Sequence, residues 1–308
     1  MKASPQDVLT AKIYFSAAFP ALRVPLEEDA KQRKAFEKVN AVVEFRAADD
    51  ENPVACYMVF LTEDLAALSA HKKRFKVFQG EYPGYIEMED GSKKEDLKVV
   101  KMYFKSIPSL LGVFKGSSPV EMLGIVSPLL KNIFNPVTMK FLFLMLTLTK
   151  TMPSFTPGTD QPWEQYLKVK LSLFLITRAL STANREGWPE ITEWTKKQPD
   201  RTYQFIVGPT LDKDGKEIYP AIKSYFRVKQ GKTKAGNGER KYPFVLFDFP
   251  NPDGCLAVLT GRYEFVEAVD KKAVTIYGAA DSYAVSFNDL MTKCQAMLVP
   301  PPKPAKKK

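Results

Sequence analysis

The serine, histidine and lysine of Ser69-Ala70-His71-Lys72 have the SxxK spacing in which a lysine activates a serine nucleophile. That chemistry needs a KTG element elsewhere, and here Lys232-Thr233 is followed by Lys234. The segment therefore reads as a basic loop. His71 is the single histidine of the chain, so any Ser-His-Asp or Cys-His relay has to run through it. Gly231-Lys232-Thr233-Lys234-Ala235-Gly236 opens like a phosphate-binding loop, but Asn237 stands where that loop needs lysine. Asp212-Lys213-Asp214-Gly215 has the start of a calcium loop without its later glutamate, and reads as a turn between strands. Glu87 and Glu89 alternate onto one strand face, the usual place for solvated acids. With one histidine and three scattered cysteines (Cys56, Cys255 and Cys294), a His-rich metal site and a four-cysteine zinc ribbon are excluded. No catalytic residue, metal ligand or cofactor is assigned from the sequence.

The elements around these residues are those of a globular chain. Its 308 residues suffice for two domains of about 100–200 residues. The composition, 45% hydrophobic and 26% charged, is ordinary for a folded protein. The first residues lack a charged and then apolar leader. The longest apolar run, Phe141–Leu148, falls short of the ~20 residues of a spanning helix. With cysteines that read as free thiols, the expected location is cytoplasmic. The net charge is +10, and four of the lysines (Lys303, Lys306, Lys307 and Lys308) sit in a Pro- and Lys-rich tail. Elsewhere Lys usually has acidic neighbours, so no nucleic-acid partner is expected; transient contact with an anionic membrane is the reading for the tail.

The chain repeats itself. Ser4-Pro5-Gln6-Asp7 and Asp160-Gln161-Pro162-Trp163 are both capped, proline-initiated helix starts. Strands are predicted at Val42–Phe45, Ala55–Phe60, Phe75–Phe78, Tyr85–Met88 and Leu97–Phe104, after a polar helix over Glu27–Lys38. The second half has helices from Pro162 and over Pro189–Lys197, then strands at Tyr203–Val207, Ile222–Val228 and Pro243–Phe249, with Gly236-Asn237-Gly238 as a turn. At one constant offset Phe104 falls on Phe249, Leu111 on Leu256, Val113 on Val258 and Gly116 on Gly261. Each half then carries a Val-Thr strand, Val137-Thr138-Met139 and Val274-Thr275-Ile276, and a closing helix. A duplicated domain is the expected organisation. The stretch Thr151–Gln161, with its prolines and a glycine, reads as a linker between the halves.

Leu256-Ala257-Val258-Leu259-Thr260-Gly261-Arg262, the strand Ala273–Gly278 and the helix Ser282–Leu298 resemble the closing elements of the sterol carrier protein type 2 (SCP2) family. Tyr225–Lys232 is similar to the family's middle strand and turn. The resemblance covers Tyr203–Leu298 and is fainter in the first half, where Phe114-Lys115-Gly116 keeps the glycine but the Val-Thr strand lacks its own. It implies an α/β layer fold (α+β): two domains, each a mostly antiparallel sheet covered by helices with an apolar tunnel between. The expected boundaries are a degenerate domain at 1–152, a second domain at 160–299 and a disordered basic tail at 300–308.

The resemblance further implies non-catalytic binding or transfer of a hydrophobic ligand, whether sterol, fatty acid, acyl-CoA or phospholipid. The expected lining is Phe247, Phe249, Leu256, Leu259, Phe265, Phe287, Leu290 and Met291, with an anionic head near Arg262 or Lys232. In the first half the apolar helix around Phe141, Leu144 and Met145 is expected as a lid or as a face buried between the halves. The alternatives are an enzyme or accessory subunit acting on acyl-CoA or steroid substrates, marked by an unpartnered polar group inside the tunnel, and an interaction protein that dimerises through Phe141–Leu148. The sequence leaves the oligomeric state open.

Overall fold

A computed structural model of the chain describes residues 2–115, 135–151, 161–198, 200–279 and 281–298. The tail 300–308 and the segment 152–160 lie outside them. The chain is an α+β protein in two compact units, Met1–Leu148 and Thr149–Lys308.

Unit 1 begins with α1 (Pro5–Ile13), capped as its sequence demands: Ser4 accepts from the Asp7 backbone and Asp7 from that of Ser4. The chain stays helical through Tyr14–Ala18 and Phe19–Ala21. The polar stretch is two helices, α2 (Arg23–Glu28) and α3 (Ala30–Phe36). They part at Asp29, which leaves helical geometry and caps α3 by accepting from Lys31 N–H at 2.8 Å. Then come β1 (Ala41–Ala47), β2 (Val54–Phe60), α4 (Glu63–Leu68), β3 (Phe75–Gln79), the small hairpin β4 (Ile86–Glu87) and β5 (Lys93–Lys94), β6 (Lys98–Phe104), α5 (Ile107–Lys115) and α6 (Pro136–Thr151). The main sheet runs β3-β2-β1-β6, antiparallel except for the parallel pair β1·β6.

Unit 2 has α7 (Pro162–Arg185), α8 (Pro189–Lys196), β7 (Arg201–Val207), the hairpin β8 (Thr210–Leu211) and β9 (Glu217–Tyr219), β10 (Ile222–Lys229), β11 (Lys232–Asn237), β12 (Val245–Phe249), α9 (Pro252–Leu259), α10 (Phe265–Asp270), β13 (Thr275–Gly278) and α11 (Asp281–Leu298). Its sheet runs β11-β10-β7-β12-β13, again antiparallel except for one parallel pair, β7·β12.

The two sheets share order, direction and register over four strands. One rung of unit 1 is Gln79–Cys56–Phe45–Met102; the matching rung of unit 2 is Asn237–Ser224–Phe205–Phe247. Gly80 leaves β3 at φ +92 and donates to Ala55 O at 2.9 Å; Gly238 leaves β11 at φ +97 and donates to Lys223 O at 2.9 Å. Two residues further on, Tyr82 N–H donates to Glu44 on β1, and Arg240 N–H donates to Gln204 on β7. The side chain of each lies against the tyrosine of the next strand, Tyr82 on Tyr57 at 5.3 Å and Arg240 on Tyr225 at 4.1 Å.

Two sequence expectations are corrected. Val137-Thr138-Met139 is not a strand: it is the first turn of α6, with Pro136 at its start and Asn135 Oδ1 accepting from Val137 N–H at 3.0 Å. Among its described residues unit 1 therefore has no counterpart of β13. Gly236-Asn237 is not a turn either but the end of edge strand β11, hidden by its lysines and glycine. The chain reverses at Gln230-Gly231, both at positive φ (50 and 71), the two-residue loop that suits a twisted hairpin. Gly236 is needed because the Tyr225 ring lies where a Cβ would sit.

Each sheet has one face packed on helices through an aromatic core. In unit 1 the Phe45 ring meets Phe15, Phe19, Phe104, Phe114 and Phe141 at 4.8–6.3 Å. In unit 2 the Phe287 ring of α11 meets Tyr203, Phe205, Phe226 and Phe247 at 4.3–6.1 Å. Helix α6 is a core helix of its own unit: Phe141, Leu144 and Leu148 are buried, and Phe141 also meets Phe60. It is not buried all round, since Phe143 is 58% and Leu146 53% exposed. Phe141→Ala should cost about 3–5 kcal/mol in urea unfolding, while Phe143→Ala should change stability by less than about 0.5 kcal/mol.

Candidate functional site

The clearest ligand-sized opening among those described is a cleft of about 480 Å³ in unit 1. It lies between α2–α3 and the strand ends where β2 stops and β3 starts. Its apolar lining is Leu26, Phe36, Phe60, Leu61 and Phe75. The rings form a continuous floor, with Phe60 at 4.8 Å from Phe36 and 5.0 Å from Phe75. Its polar lining is Arg23, Arg33, Lys72, Lys73 and Arg74, with Glu27 the one acid.

The cations differ in how they are held. Arg23 forms an ion pair with Glu27 at 3.3 Å, and Lys72 pairs with Glu89. Arg33, Lys73 and Arg74 have no side-chain ion pair among the described residues. Arg74 also has a buried Nε–H without an acceptor. A buried donor left unmatched costs about 1–3 kcal/mol, and like charges gathered at one mouth repel. Such an arrangement suits an anionic group at the mouth and an apolar body on the phenylalanine floor.

The residues expected from the sequence to line a tunnel are brought together in unit 2. Phe247 stacks on Phe205 at 4.9 Å and meets Phe265 at 6.0 Å. Phe249, Leu256, Phe287 and Leu290 are buried, and Leu259, Phe265 and Met291 are half-buried. None of them lines the unit 1 cleft; nor do Phe141, Leu144 and the half-buried Met145. Arg262 is committed to Asp253, donating to its carboxylate at 2.8 Å and its carbonyl at 3.1 Å. Lys232 is exposed on β11. Sequence reasoning marked Ser69–Lys72 as a basic loop but found neither Lys73 and Arg74 nor their meeting with Arg33 and Phe36, which lie across a helix–sheet boundary.

The catalytic-looking motifs are satisfied structurally. Ser69 is buried, and its hydroxyl donates to Ala66 O at 2.8 Å. Lys72 is held by Glu89 rather than by the serine hydroxyl. Asp212 closes a turn by accepting from Asp214 and Lys216 N–H, both at 2.9 Å. Glu44, 4% exposed, accepts from Tyr82 N–H at 3.1 Å and Tyr103 O–H at 2.8 Å, so it is partnered. Burial raises the pKa of all three cysteine thiols, which keeps them protonated. Among the described residues no group of three His, Cys, Asp or Glu is placed to hold a metal ion, and no helix is long and apolar enough to cross a membrane.

His71 lines a second cleft of about 420 Å³ with Tyr57, Phe78, Tyr85 and Glu87. Its Nδ1 accepts from Lys73 N–H at 3.2 Å, which places the proton of the neutral ring on Nε2. Burial, then the charges of Lys76 and Lys73, hold its pKa down to about 4.

No protein-family model matches this chain, and no curated protein matches it. Among solved structures, the sterol carrier protein domain 2 of Helicoverpa armigera is 18% identical over 40% of this chain and 87% of its own, with a TM-score of 0.30. A crystal structure of sterol carrier protein 2 is 16% identical over 39% of this chain and 94% of its own, also at 0.30. An inverting sec-alkylsulfatase of a Pseudomonas species is 11% identical over 57% of this chain and 31% of its own, at 0.23.

The low pKa of His71 has a pH consequence. Between about pH 6.5 and 4 the unfolded chain binds this proton and the folded chain does not. That contribution to stability is complete above pH 6.5 and is lost as the pH falls toward 4. The ring signals of the single histidine should titrate in NMR with a midpoint near 4; a midpoint near 6.5 would show a solvated ring.

Proposed function

We propose that the protein binds an anionic amphiphile without catalysis: a fatty acid, an acyl-CoA or a phospholipid. The observation that carries this reading is the unit 1 cleft, where the unpaired Arg33, Lys73 and Arg74 stand over the floor of Phe36, Phe60 and Phe75. The apolar body would gain about 0.8 kcal/mol per buried CH₂. The head would supply acceptors to guanidinium and ammonium groups that have none, each charge-assisted bond contributing about 1.5–3 kcal/mol. A sterol, whose only polar group is a hydroxyl, uses the floor but not the cations.

We also propose that the chain is a tandem of two sterol-carrier-like domains, with a boundary in or near 152–160. The shared strand order, the matching rungs and the repeated Gly80–Tyr82 and Gly238–Arg240 contacts support it. The apolar interior of unit 2, around Phe247, Phe287 and Leu290, stays a second candidate for ligand binding on the sequence resemblance.

A dansyl-labelled fatty acid should bind the whole chain and be displaced by fatty acid or acyl-CoA but poorly by cholesterol. Arg33→Gln, Lys73→Gln and Arg74→Gln should each weaken binding about tenfold, consistent with the loss of one charge-assisted bond. Wild-type affinity in the triple variant would overturn the assignment to this cleft. A clean apo mass in native mass spectrometry together with no displacement would overturn the function.

A further inference from the structure

The hairpin β10–β11 carries the least balanced charge of the described chain. Residues 222–238 contain Lys223, Arg227, Lys229, Lys232 and Lys234 and no Asp or Glu. Strand alternation puts Ile222, Ser224, Phe226 and Val228 on the buried face and these cations on the other, all exposed. The register then sets like against like: Arg227 lies opposite Lys234, and Lys229 opposite Lys232. Directly opposed residues have Cβ atoms about 4.5–5.5 Å apart, and like charges there destabilise the pair. Two successive rungs of the same face carry this penalty. Lys223 pairs with Glu239 at 2.7 Å and Lys229 lies 3.9 Å from Asp200, but Arg227, Lys232 and Lys234 have no ion pair among the described residues.

The same positions in unit 1 are different. By the shared register Arg227 corresponds to Val59 and Lys229 to Leu61, both buried under the segments that come after β2 and β3. In unit 2 those segments are only the Gln230-Gly231 turn and the short loop to β12, so the face is open.

The rim of the grid is aromatic. Tyr277 joins the outer-face row Gly236–Tyr225–Gln204–Leu246–Tyr277 and is 53% exposed. Tyr242, in the loop that Arg240 holds on this face, is 96% exposed at positive φ. Tyrosine beside lysine and arginine is the composition of a lipid–water interface, where the ring sits at headgroup depth and the cations meet anionic lipid. A single-stranded nucleic acid would need open rings among the cations on which to stack bases. The one ring inside the grid, Tyr225, is buried and capped by Arg240.

We propose that this face of unit 2, with Arg227, Lys229, Lys232 and Lys234 at its centre and Tyr242 and Tyr277 at its rim, docks on an anionic lipid bilayer. The proposal does not rest on the unit 1 cleft: it would stand if that cleft bound nothing.

The test is co-sedimentation of the whole chain with vesicles of phosphatidylcholine alone or mixed with phosphatidylserine. Binding is expected only to the mixed vesicles, weakening as salt rises. Replacing Arg227, Lys229, Lys232 and Lys234 with Gln should lower the partition coefficient about fivefold per charge. Replacing the exposed Lys31, Lys34, Lys38 and Lys98 with Gln should lower it far less. Tyr242→Ala should weaken binding at high salt, where the charges are screened. Removing the opposed cations should leave the thermal midpoint equal or higher, which separates lost docking from lost folding. Equal binding by the hairpin variant and wild type would overturn the proposal. So would binding to neither vesicle, or hairpin-dependent binding to single-stranded DNA without vesicle binding.

Discussion

Each unit depends on one buried polar side chain at the middle of its sheet. Glu44 on β1 and Gln204 on β7 occupy the same place, on the strand that pairs with neighbours on both sides. Neither reaches water, so each has to find partners inside the protein. Glu44 takes Tyr82 N–H and Tyr103 O–H. Gln204 takes Arg240 N–H and donates to the carbonyls of Ser224 and Gly238. The requirement fixes where the chain goes after the third strand: across the outer face, anchored to the central strand, before it can return as the parallel strand β6 or β12. The glycine just past each third strand, at φ above +90, makes that exit.

From this common anchor the two units part by the length of their connecting segments. In unit 1 the connections after β2 and β3 are long enough to build a second apolar cluster, in which Val42, Val59, Leu61, Ala66, Ile86 and Leu97 are buried. The outer face is then closed, and the basic residues of the 72–74 turn are turned toward α2 and α3 instead. In unit 2 both connections are short and the outer face carries cations in place of valine and leucine. The inner faces diverge less: Phe45 and Phe205 hold the same rung, each against a helix-borne phenylalanine, Phe141 and Phe287.

The features legible in the sequence were local ones. Caps such as Ser4, and strands rich in valine and phenylalanine, declare themselves over a few residues, whereas the break at Asp29 inside the polar stretch Glu27–Lys38 did not. Of the ordered echo, the strand pairings place Phe104 and Phe249 at matching registers, while Gly116 lies outside the described residues. Val137-Thr138 has the β-branched composition of a strand, but the Asn135-Pro136 start that precedes it sets a helix. β11 was missed because its stability comes from pairing with β10 and from α7, where Asn184 donates to Gly231 O at 2.9 Å, and not from its own residues. The cleft was illegible for a similar reason. Arg33 and Arg74 carry no signal of their own that they face one opening.

The two proposals together give the units different tasks. A ligand that leaves a bilayer must cross water unless its carrier sits on that bilayer, and the cost grows by about 0.8 kcal/mol with each exposed CH₂. On the two proposals, unit 1 holds an anionic amphiphile and unit 2 meets an anionic surface, and that pairing avoids this cost. Each unit keeps its own aromatic core, so a face freed from the core in one unit can take cations that would be ruinous at Val59 or Leu61 in the other.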